Sequence, residues 1–378
     1  MSIPTNSLRH SIRHLPQQMP EVLQAIESRV AHTCRALQLD GINQVILTGS
    51  GDSYIAAMGA APAWRAWTGL PVTALNAMDA ARYLFPLSWG CSRQHTLLIC
   101  VSHSGEAARV IEAAQRARAA GVSTLALSAN PDSRLASACA AMLNVAAIDS
   151  ASAPGTLSYC ASLLGLYLLA LEHARRRPEA ATEHATVKRS LTELPSLMAR
   201  VLLDCESVGA SCSEAWSEYA RADLLGSGPA CAAAAYGAAK LIEASGVHAM
   251  AQDIEEFFHL NYFMAEPSSL PTVVFAPTSA ASASRAAELL VVLGELERPV
   301  LWISDAPARQ ATAFALTLPA LEELLLPLLA MVPAALLAAA WADRIGSEYY
   351  RGQRGRWSSS RSAALVRNSL IIPGIEED

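Results

Sequence analysis

The sequence predicts an α/β protein in which two parallel sheets are each flanked by helices. Short apolar or β-branched runs alternate with longer alanine-rich stretches, which is the pattern of strands that helices cover on both sides. The chain has 378 residues, more than a single hydrophobic core normally organises. A strand, a Gly-Ser-Gly turn and a helix of small residues also occur twice. A duplicated domain accounts for all three observations.

The alternation places five strands in each half of the chain. Helices are predicted after Asp52, Ser104, Asp132 and Pro154, and a polar helical stretch from about 175 to 213 separates the halves. The candidate strands are 44–48, 72–75, 96–101, 123–127 and 142–146, then 223–225, 247–249, 272–275, 300–303 and 313–316.

The two halves share residues at one turn. In the first half an apolar strand ends in Gly49-Ser50-Gly51, and the following helix contains Gly59. The second half has Gly226-Ser227-Gly228 in the same place, 177 residues later, and Gly237 in the next helix. Glycine lets the chain turn sharply after a strand. We therefore expect the same domain topology in both halves.

Composition limits the classes of function. Hydrophobic residues make up 52% of the chain and charged residues 16%, with a formal net charge of −6. This balance is typical of a folded globular protein and gives no electrostatic attraction to nucleic acid or acidic membranes. The eight cysteines form no CxxC pair and have no histidine at metal-ligand spacing, so no metal site is predicted. Because the N-terminus lacks the apolar core of a secretory signal, we expect a cytoplasmic protein.

One stretch, 324–342, has no charged residue and is long enough to cross a bilayer as a helix. Pro327 and Pro333 interrupt it, small residues dominate its second half, and charged residues of both signs bound it. These features favour a buried core helix over a membrane span.

The Gly-Ser-Gly turn of the first half is a candidate anion loop, because a helix begins with unpaired N–H groups that attract negative charge. Close packing of the strand against the helix explains the same glycines without a ligand. The turn lacks the third glycine of a dinucleotide fingerprint and the lysine of a P-loop, so nucleotide binding is disfavoured and no cofactor is expected. The candidate residues are Ser50, Gly51, Asp52 and Ser53.

A second junction is more informative. The apolar strand at 97–101 leads directly into Ser102-His103-Ser104-Gly105-Glu106. Two hydroxyls, the N–H groups of a helix start and no lysine or arginine suit a phosphate monoester held by neutral donors. The alternative is ordinary helix capping by Ser102 or Ser104.

These segments resemble the sugar isomerase (SIS) domain family. The resemblance is to its tandem form, the isomerase half of glucosamine-6-phosphate synthase and relatives without a glutaminase domain. The most specific match is Gly-Ala-Ala-Lys-Leu-Ile-Glu at 237–243, followed by Glu-Glu-Phe-Phe-His at 255–259. A further match is Glu-Glu-Leu-Leu-Leu-Pro at 322–327.

The resemblance implies an architecture of two doubly wound SIS domains, each a parallel sheet flanked by helices, at 31–190 and 191–350. A lead-in segment at 1–30 precedes them, and a tail at 351–378 closes over the active site. The lead-in segment is too short for a glutaminase domain, so ammonia transfer from glutamine is not expected. The implied partners are a phosphorylated sugar and a second copy of the chain, in a homodimer with shared active sites, with neither nucleic acid nor membrane.

The resemblance also implies roles for single residues. Glu243 matches the general base that moves a proton between C1 and C2 of the open-chain sugar. His259 matches a histidine that assists ring opening from the neighbouring subunit, and Glu256 is a supporting residue. Aldose–ketose isomerisation does need a carboxylate and a second proton-transfer group, although most charged residues are simply solvated. The implied substrate contacts are Ser50, Gly51, Asp52, Ser53, Ser102, His103, Ser104, Glu106, Thr156, Ser158 and Arg367.

Four positions depart from the family pattern. Leu260-Asn261 follows His259 where the family usually has Gly-Pro, and Ala107 stands where a threonine is common. Arg367 aligns with a lysine that forms an imine with the ketose, and arginine stays protonated and cannot do so. Arg367 could bind an anionic group of the substrate, or belong to a solvated basic tail.

Three functions stay open. The favoured one is a sugar-phosphate or amino-sugar-phosphate aldose–ketose isomerase that acts through an enediol or enolamine. The second is an amino-sugar-phosphate deaminase or a fructosamine-phosphate deglycase, in which the same base leads to cleavage of a C–N bond. The third is a non-catalytic sugar-phosphate binding protein, which the departures favour and which the retention of Glu243 and His259 opposes.

Overall fold

A computed structural model of the chain describes residues 6–37, 41–84, 92–146, 155–175, 181–308 and 313–372. It contains two five-stranded sheets in which every pairing is parallel. Helices flank the strands, so the predicted α/β class with parallel sheets is confirmed. The strands are β1 (Gln44–Gly49), β2 (Val72–Asn76), β3 (Thr96–Val101), β4 (Ser123–Ser128), β5 (Ala141–Asn144), β6 (Arg221–Leu225), β7 (His248–Gln252), β8 (Thr272–Phe275), β9 (Val300–Ser304) and β10 (Phe314–Thr317).

The helices connect and cover these strands. Pro154, after which one helix was predicted, lies outside the described residues, but that helix is present from Leu157. The helices are α1 (Ser7–Ala36), α2 (Asp52–Thr68), α3 (Ala77–Asp79), α4 (Ala108–Ala119), α5 (Arg134–Ala138), α6 (Leu157–Ala174), α7 (Ala181–Trp216), α8 (Pro229–Ser245), α9 (Ile254–His259), α10 (Ala283–Glu295), α11 (Leu326–Arg344) and α12 (Ser359–Arg367).

The described part of the chain divides into two compact units. The first unit comprises Gln18–Arg189 and Gly355–Asp378 and contains the sheet β2-β1-β3-β4-β5. The second unit comprises Met1–Gln17 and Ser190–Arg354 and contains the sheet β10-β9-β8-β6-β7. Read from the other edge, the second order is the same as the first. The predicted strand set of each half is confirmed, whereas the predicted domain boundaries stay predictions.

The Gly-Ser-Gly turns of the two units have the same geometry. Gly51 has φ 56° and ψ −131°, and Gly228 has φ 58° and ψ −130°. A positive φ of this kind favours glycine. The preceding glycines are also required, because a Cβ on Gly49 would lie 2.7 Å from the carbonyl carbon of Ser53 and one on Gly226 would lie 2.5 Å from the carbonyl oxygen of Ala230.

Each unit has one long apolar helix in its core. In the first unit α6 packs against α2, and in the second unit α11 packs against α8. Both α6 and α11 are long and apolar enough to cross a membrane, but 83% and 94% of their apolar windows are buried inside the protein. Every residue from Leu326 to Ala342 is buried. The predicted core helix at 324–342 is therefore confirmed.

The cysteines follow the predicted pattern of small core residues. Six of the seven described cysteines are buried, and Cys231 is partly buried. Cys91 lies outside the described residues. Burial raises the pKa of Cys212 to about 12, and burial together with nearby Asp253 raises that of Cys231 to about 12. These two thiols are protonated at neutral pH.

The close approach at Gly226 predicts a large cost for any side chain there. We expect Gly226→Ala to lower the free energy of unfolding by about 1–3 kcal/mol, because the methyl group would overlap the backbone of α8. Gly294 of the same unit has open space around its Cβ position and lies in helix α10. Gly294→Ala should raise stability by about 0.4–1 kcal/mol. Denaturant unfolding followed by circular dichroism measures both, and equal effects would contradict this account of the turn.

Candidate functional site

The strand order of the first unit predicts a ligand site at the carboxyl ends of its central strands. Strands β2 and β3 lie on opposite sides of β1, so the connections that follow β1 and β3 run in opposite directions. Ligands of parallel α/β sheets bind between two such connections. Gly49 and Val101, the last residues of β1 and β3, are directly paired. The turn after β1 and the loop after β3 therefore begin side by side. These two segments are the two that the sequence marked as anion loops.

The loop at 102–106 is held against the end of β4. The Ser102 N–H donates to the carbonyl of Leu127 (3.0 Å), and the Ala129 N–H donates to the carbonyl of His103 (2.9 Å). Gly105 has φ 68°, and a Cβ there would lie 2.1 Å from Oγ of Ser133. Only glycine fits this position, so the loop has one backbone path.

Helix α4 begins without a capping side chain. Its N-cap residue is Ala107, which makes no side-chain capping bond. Oγ of Ser104 accepts a hydrogen bond from the Glu106 N–H (3.3 Å), outside the helix. The capping alternative for Ser102 and Ser104 is therefore wrong. Ser104 is exposed and Ser102 is buried, and the first N–H groups of α4 receive no side-chain cap.

His103 contributes a neutral imidazole to this loop. Burial lowers its pKa, so the ring is uncharged at neutral pH. Its Nδ1 is buried and has no hydrogen-bond partner among the residues that the structure describes. A buried polar atom without a partner is uncommon in native proteins and needs an explanation. A ligand bound at this loop would supply one.

The remaining charged residues of the loop region bind each other. Oε2 of Glu106 accepts a hydrogen bond from Nε of Arg134 (2.6 Å), and Nη2 of Arg134 donates to the carbonyl of Arg367 (2.8 Å). Burial would raise the pKa of Glu106, but the hydrogen bonds and charge of Arg134, with the charge of Arg367, outweigh it and lower the pKa. The exposed Arg367, at the end of α12, thus lies beside the loop, and Glu106 is engaged with Arg134.

The turn after β1 uses its N–H groups internally. The N–H groups of Ser53, Tyr54 and Ile55 donate to carbonyls of Ser50 and Gly51 at 2.9–3.2 Å. This arrangement favours packing as the reason for the glycines. Ser50 and Gly51 are exposed, and Asp52 and Ser53 are partly buried. The hydroxyls of Ser50 and Ser53 are the groups of this turn that could still donate to an anion.

Thr156 and Ser158 lie at the start of α6, in the first unit. Thr156 is fully buried at the N-cap position and makes no side-chain capping bond. Ser158 is partly buried in the first turn of the helix. Ser158 is therefore the more accessible of the two, and a substrate contact by either residue stays a prediction.

Glu243 lies near the end of α8, in the second unit, and is held by two donors. Nζ of Lys240 and the hydroxyl of Tyr349 each donate to its Oε2 at 2.5 Å. The Lys240 side chain is 0% exposed and that of Glu243 is 23% exposed. A buried ammonium requires an anionic partner, so Glu243 is a fixed carboxylate and not a freely solvated one.

His259 ends α9 on the surface of the second unit. Its side chain is 66% exposed, and its Nε2 lies 3.3 Å from Oε1 of Glu255. Glu256, which was predicted to support catalysis, is also exposed, and the partner of His259 is Glu255. Within the described ranges neither His259 nor Glu256 hydrogen-bonds to Glu243. The expected role of His259 at a neighbouring subunit's site stays a prediction.

The segment after His259 is fixed by a buried network. Nη1 of Arg298 donates to Oδ2 of Asp223 (2.7 Å), and Nη2 donates to the carbonyl of Asn261 (2.7 Å). Nδ2 of Asn261 donates to the same Asp223 oxygen (3.0 Å). The side chains of Arg298 and Asp223 are 0% and 5% exposed. Asn261, where the family usually has proline, therefore anchors the loop through its side chain.

Sequence reasoning gave no role to three of these residues. Lys240 had a local signal, because residues three apart lie on the same helix face and Lys240 precedes Glu243 by three. Tyr349 and Arg298 had none, since their partners lie 106 and 75 residues away along the chain.

Fold and loop together define a class: parallel α/β domains with a hydroxyl-rich candidate anion loop at the carboxyl end of a central strand. Residues 38–172 match the SIS domain. A glutamine–fructose-6-phosphate aminotransferase (isomerizing) from Mycobacterium bovis is 29% identical over 318 residues, which cover 82% of this chain and 50% of that protein. The chain thus spans about half the length of the curated relatives it matches.

Solved structures share the fold. The C-terminal domain of glucosamine-fructose-6-phosphate aminotransferase from Francisella tularensis matches with a TM-score of 0.78 at 19% identity, over 90% of this chain and 97% of that one. Tagatose-6-phosphate ketose/aldose isomerase from Escherichia coli matches with a TM-score of 0.71 at 19% identity, over 92% and 95%. The predicted resemblance to the SIS family is confirmed, including homology to the isomerase half of the aminotransferase.

The buried network predicts a strong effect on stability. We expect Arg298→Met to cost about 3–5 kcal/mol, because it leaves the Asp223 carboxylate buried without its partner. Removing both charges in Asp223→Val/Arg298→Met should cost less than this single change. Arg285→Met, which breaks the exposed pair with Glu255, should cost below about 1 kcal/mol. Denaturant unfolding measures all three, and a double variant that costs as much as Arg298→Met or more would contradict the coupling.

Proposed function

We propose that the protein interconverts an aldose phosphate and the matching ketose phosphate, or a 2-amino-aldose phosphate and the matching C2 imine. The observation that carries the proposal is the state of Glu243. Its Oε2 accepts from Lys240 and Tyr349, whereas Oε1 makes no hydrogen bond among the described residues. The carboxylate is therefore fixed and partly accessible, with one oxygen available as a base.

The reaction needs no redox partner. From the aldose, Glu243 takes the proton on C2, and the electron pair of the C–H bond forms the enediol double bond while O1 gains a proton from a second proton-transfer group. That group then takes the O2 proton as the carbonyl forms at C2, and Glu243 returns its proton to C1. A carboxylate is suited to carry a carbon-bound proton in both directions.

The first unit supplies the proposed phosphate site. The exposed hydroxyl of Ser104, the hydroxyl of Ser102 and the uncapped start of α4 are neutral donors for a phosphate. The unpartnered Nδ1 of His103 is a further polar group in this loop. Arg367 adds a positive charge beside it. Together they favour an anionic over a neutral sugar.

A second copy of the chain is the proposed source of His259. The imidazole is exposed, and the next residues carry large apolar side chains that are also exposed. Surface apolar groups clustered in this way mark protein contact sites. These exposed side chains are Leu260, Tyr262, Phe263 and Met264.

Cleavage of a C–N bond in an amino-sugar phosphate is the second candidate. It would use the same base, and Arg367 argues against an isomerase that opens its ketose as an imine. Arginine cannot form the imine by which the resembling synthase opens its ketose.

Deuterium exchange tests the role of Glu243. With a panel of hexose and aminohexose phosphates in deuterated water, we expect NMR to show deuterium entering C1 or C2 without release of ammonia. Glu243→Gln should lower the exchange rate by about 10²–10⁴-fold, because the amide cannot accept the proton. Glu295→Gln, an exposed change on α10, should leave the rate unchanged.

Other results would redirect the proposal. Release of ammonia or an amine together with exchange supports the C–N cleavage candidate. Binding without exchange, unaltered in Glu243→Gln, contradicts both enzyme functions and leaves a sugar-phosphate binding protein.

Loss of a loop hydroxyl tests the phosphate site separately. Ser104→Ala should raise KM for the phosphorylated sugar about tenfold and leave kcat nearly unchanged, because a hydrogen bond to a charged group is lost in substrate and transition state alike. Ser28→Ala, an exposed serine of α1, is the matched control. Equal binding of the sugar with and without its phosphate would contradict this assignment.

A further inference from the structure

Tyr349 shares the Glu243 oxygen with Lys240 but has no part in the chemistry described above. It follows α11 in the second unit, and its hydroxyl donates to Oε2 at 2.5 Å. Its ring packs on Tyr350, with ring centroids 4.3 Å apart. A second donor on one carboxylate oxygen leaves little rotational freedom to the carboxylate.

We propose that Tyr349 is a positioning residue: with Lys240 it holds Oε2 of Glu243, so that Oε1 is the oxygen that meets the carbon-bound proton of the substrate. The inference rests on the proposed role of Glu243 as the base. Tyr349 itself transfers no proton and touches no reacting atom.

The backbone that carries Tyr349 is strained and is held at a defined place. Tyr350 has φ 49° and Arg351 has φ 55°, which is the left-handed region that residues other than glycine seldom adopt. Such conformations persist where the surroundings determine them fully, and they are concentrated at functional sites. Two consecutive strained residues directly after Tyr349 indicate that the position of its side chain matters.

Arg351 fastens this segment to the end of α8. Its guanidinium donates to the carbonyls of Ala244 and Ser245, both at 2.7 Å. The last carbonyls of a helix lack intrahelical partners and attract a cation. Gly246 leaves room for this contact, since a Cβ there would lie 2.3 Å from Nη1 of Arg351. The same helix end that carries Glu243 therefore also fixes the residue that orients it.

The tyrosine remains a donor wherever the carboxylate is ionised. Burial and the charge of Glu243 raise the pKa of Tyr349 far above its usual range, and Tyr350 adds to the effect. The described groups that face the Glu243 carboxylate are Lys240 from α8 and Tyr349 from the segment after α11, and Arg351 contacts the backbone carbonyls.

The test is the pH profile of Tyr349→Phe. Loss of a donor to the ionised carboxylate favours its protonated form, so the acid limb of the exchange rate should move to higher pH by about one unit. At the optimum kcat should fall about tenfold, and KM should change little because the phosphate contacts are intact. A purely structural tyrosine would not move the acid limb.

Two further variants complete the design. Tyr219→Phe removes a hydroxyl elsewhere in the second unit and should leave the profile unchanged. Arg351→Gln keeps the tyrosine but releases its backbone, so it should lower kcat in the same direction with a smaller shift of the limb. If thermal melting shows that Tyr349→Phe does not fold, Arg351→Gln carries the test.

The outcomes separate the inference from the proposed function. If the wild type exchanges deuterium and Glu243→Gln does not, an unchanged profile and kcat in the folded Tyr349→Phe variant overturn the role of Tyr349 alone. If Tyr349→Phe does not fold, an unchanged kcat in Arg351→Gln overturns the role of Tyr349. If the wild type shows no exchange with any sugar phosphate, the proposed function fails and this inference fails with it.

Discussion

The parallel strand order of the first unit determines where its candidate anion loop lies. Two parallel strands cannot be joined by a tight turn. Each connection therefore runs back along the sheet, usually as a helix, so that the next strand starts at the same end as the last. Because the chain leaves β1 for β2 and returns to β3, the connections diverge above the β1–β3 pair. The loop at 102–106 begins at this divergence and α4 follows it. The sheet thus fixes the start of this loop, and the loop conformation requires glycine at position 105. The loop carries the hydroxyls of Ser102 and Ser104 and leads to the uncapped N–H groups of α4.

The second unit has the same topology, but its distinctive feature is a buried ammonium group. Lys240 is fully buried, and the cost of burying a charge is offset only by a close anion. Glu243 is that anion, so the demand for a partner to Lys240 also fixes the carboxylate. Tyr349 and the segment fastened by Arg351 add a second donor to the same oxygen. The residue proposed as the base is therefore positioned by contacts that also stabilise the fold.

The sequence predicted what depends on local patterns. All ten strands, the two Gly-Ser-Gly turns and the burial of α11 follow from hydrophobic periodicity and from the needs of glycine, which neighbouring residues determine. The capping role of Ser102 or Ser104 was wrong because Ala107 occupies the N-cap, and a cap is determined by where the helix begins, which sequence places only to within a few residues. The contacts of Tyr349, Arg298 and Arg134 join distant segments and leave no periodic signal. The loop at 102–106 could therefore be predicted from the sequence, whereas the long-range contacts of Tyr349, Arg298 and Arg134 could not.

The two sheets have the same order but differ at the loop that would bind an anion. In the first unit the loop after β3 presents hydroxyls, and α4 starts without a cap. In the second unit the loop after β8 is closed by a residue of the chain itself, because Oδ1 of Asp305 accepts the Thr278 N–H at 2.6 Å. Burial would raise the pKa of Asp305, but the hydrogen bonds from Thr278 outweigh it and lower the pKa, so this carboxylate is ionised at neutral pH. A fixed negative charge at that position repels a phosphate, so the loop after β8 is a poorer candidate for an anion site than the loop after β3.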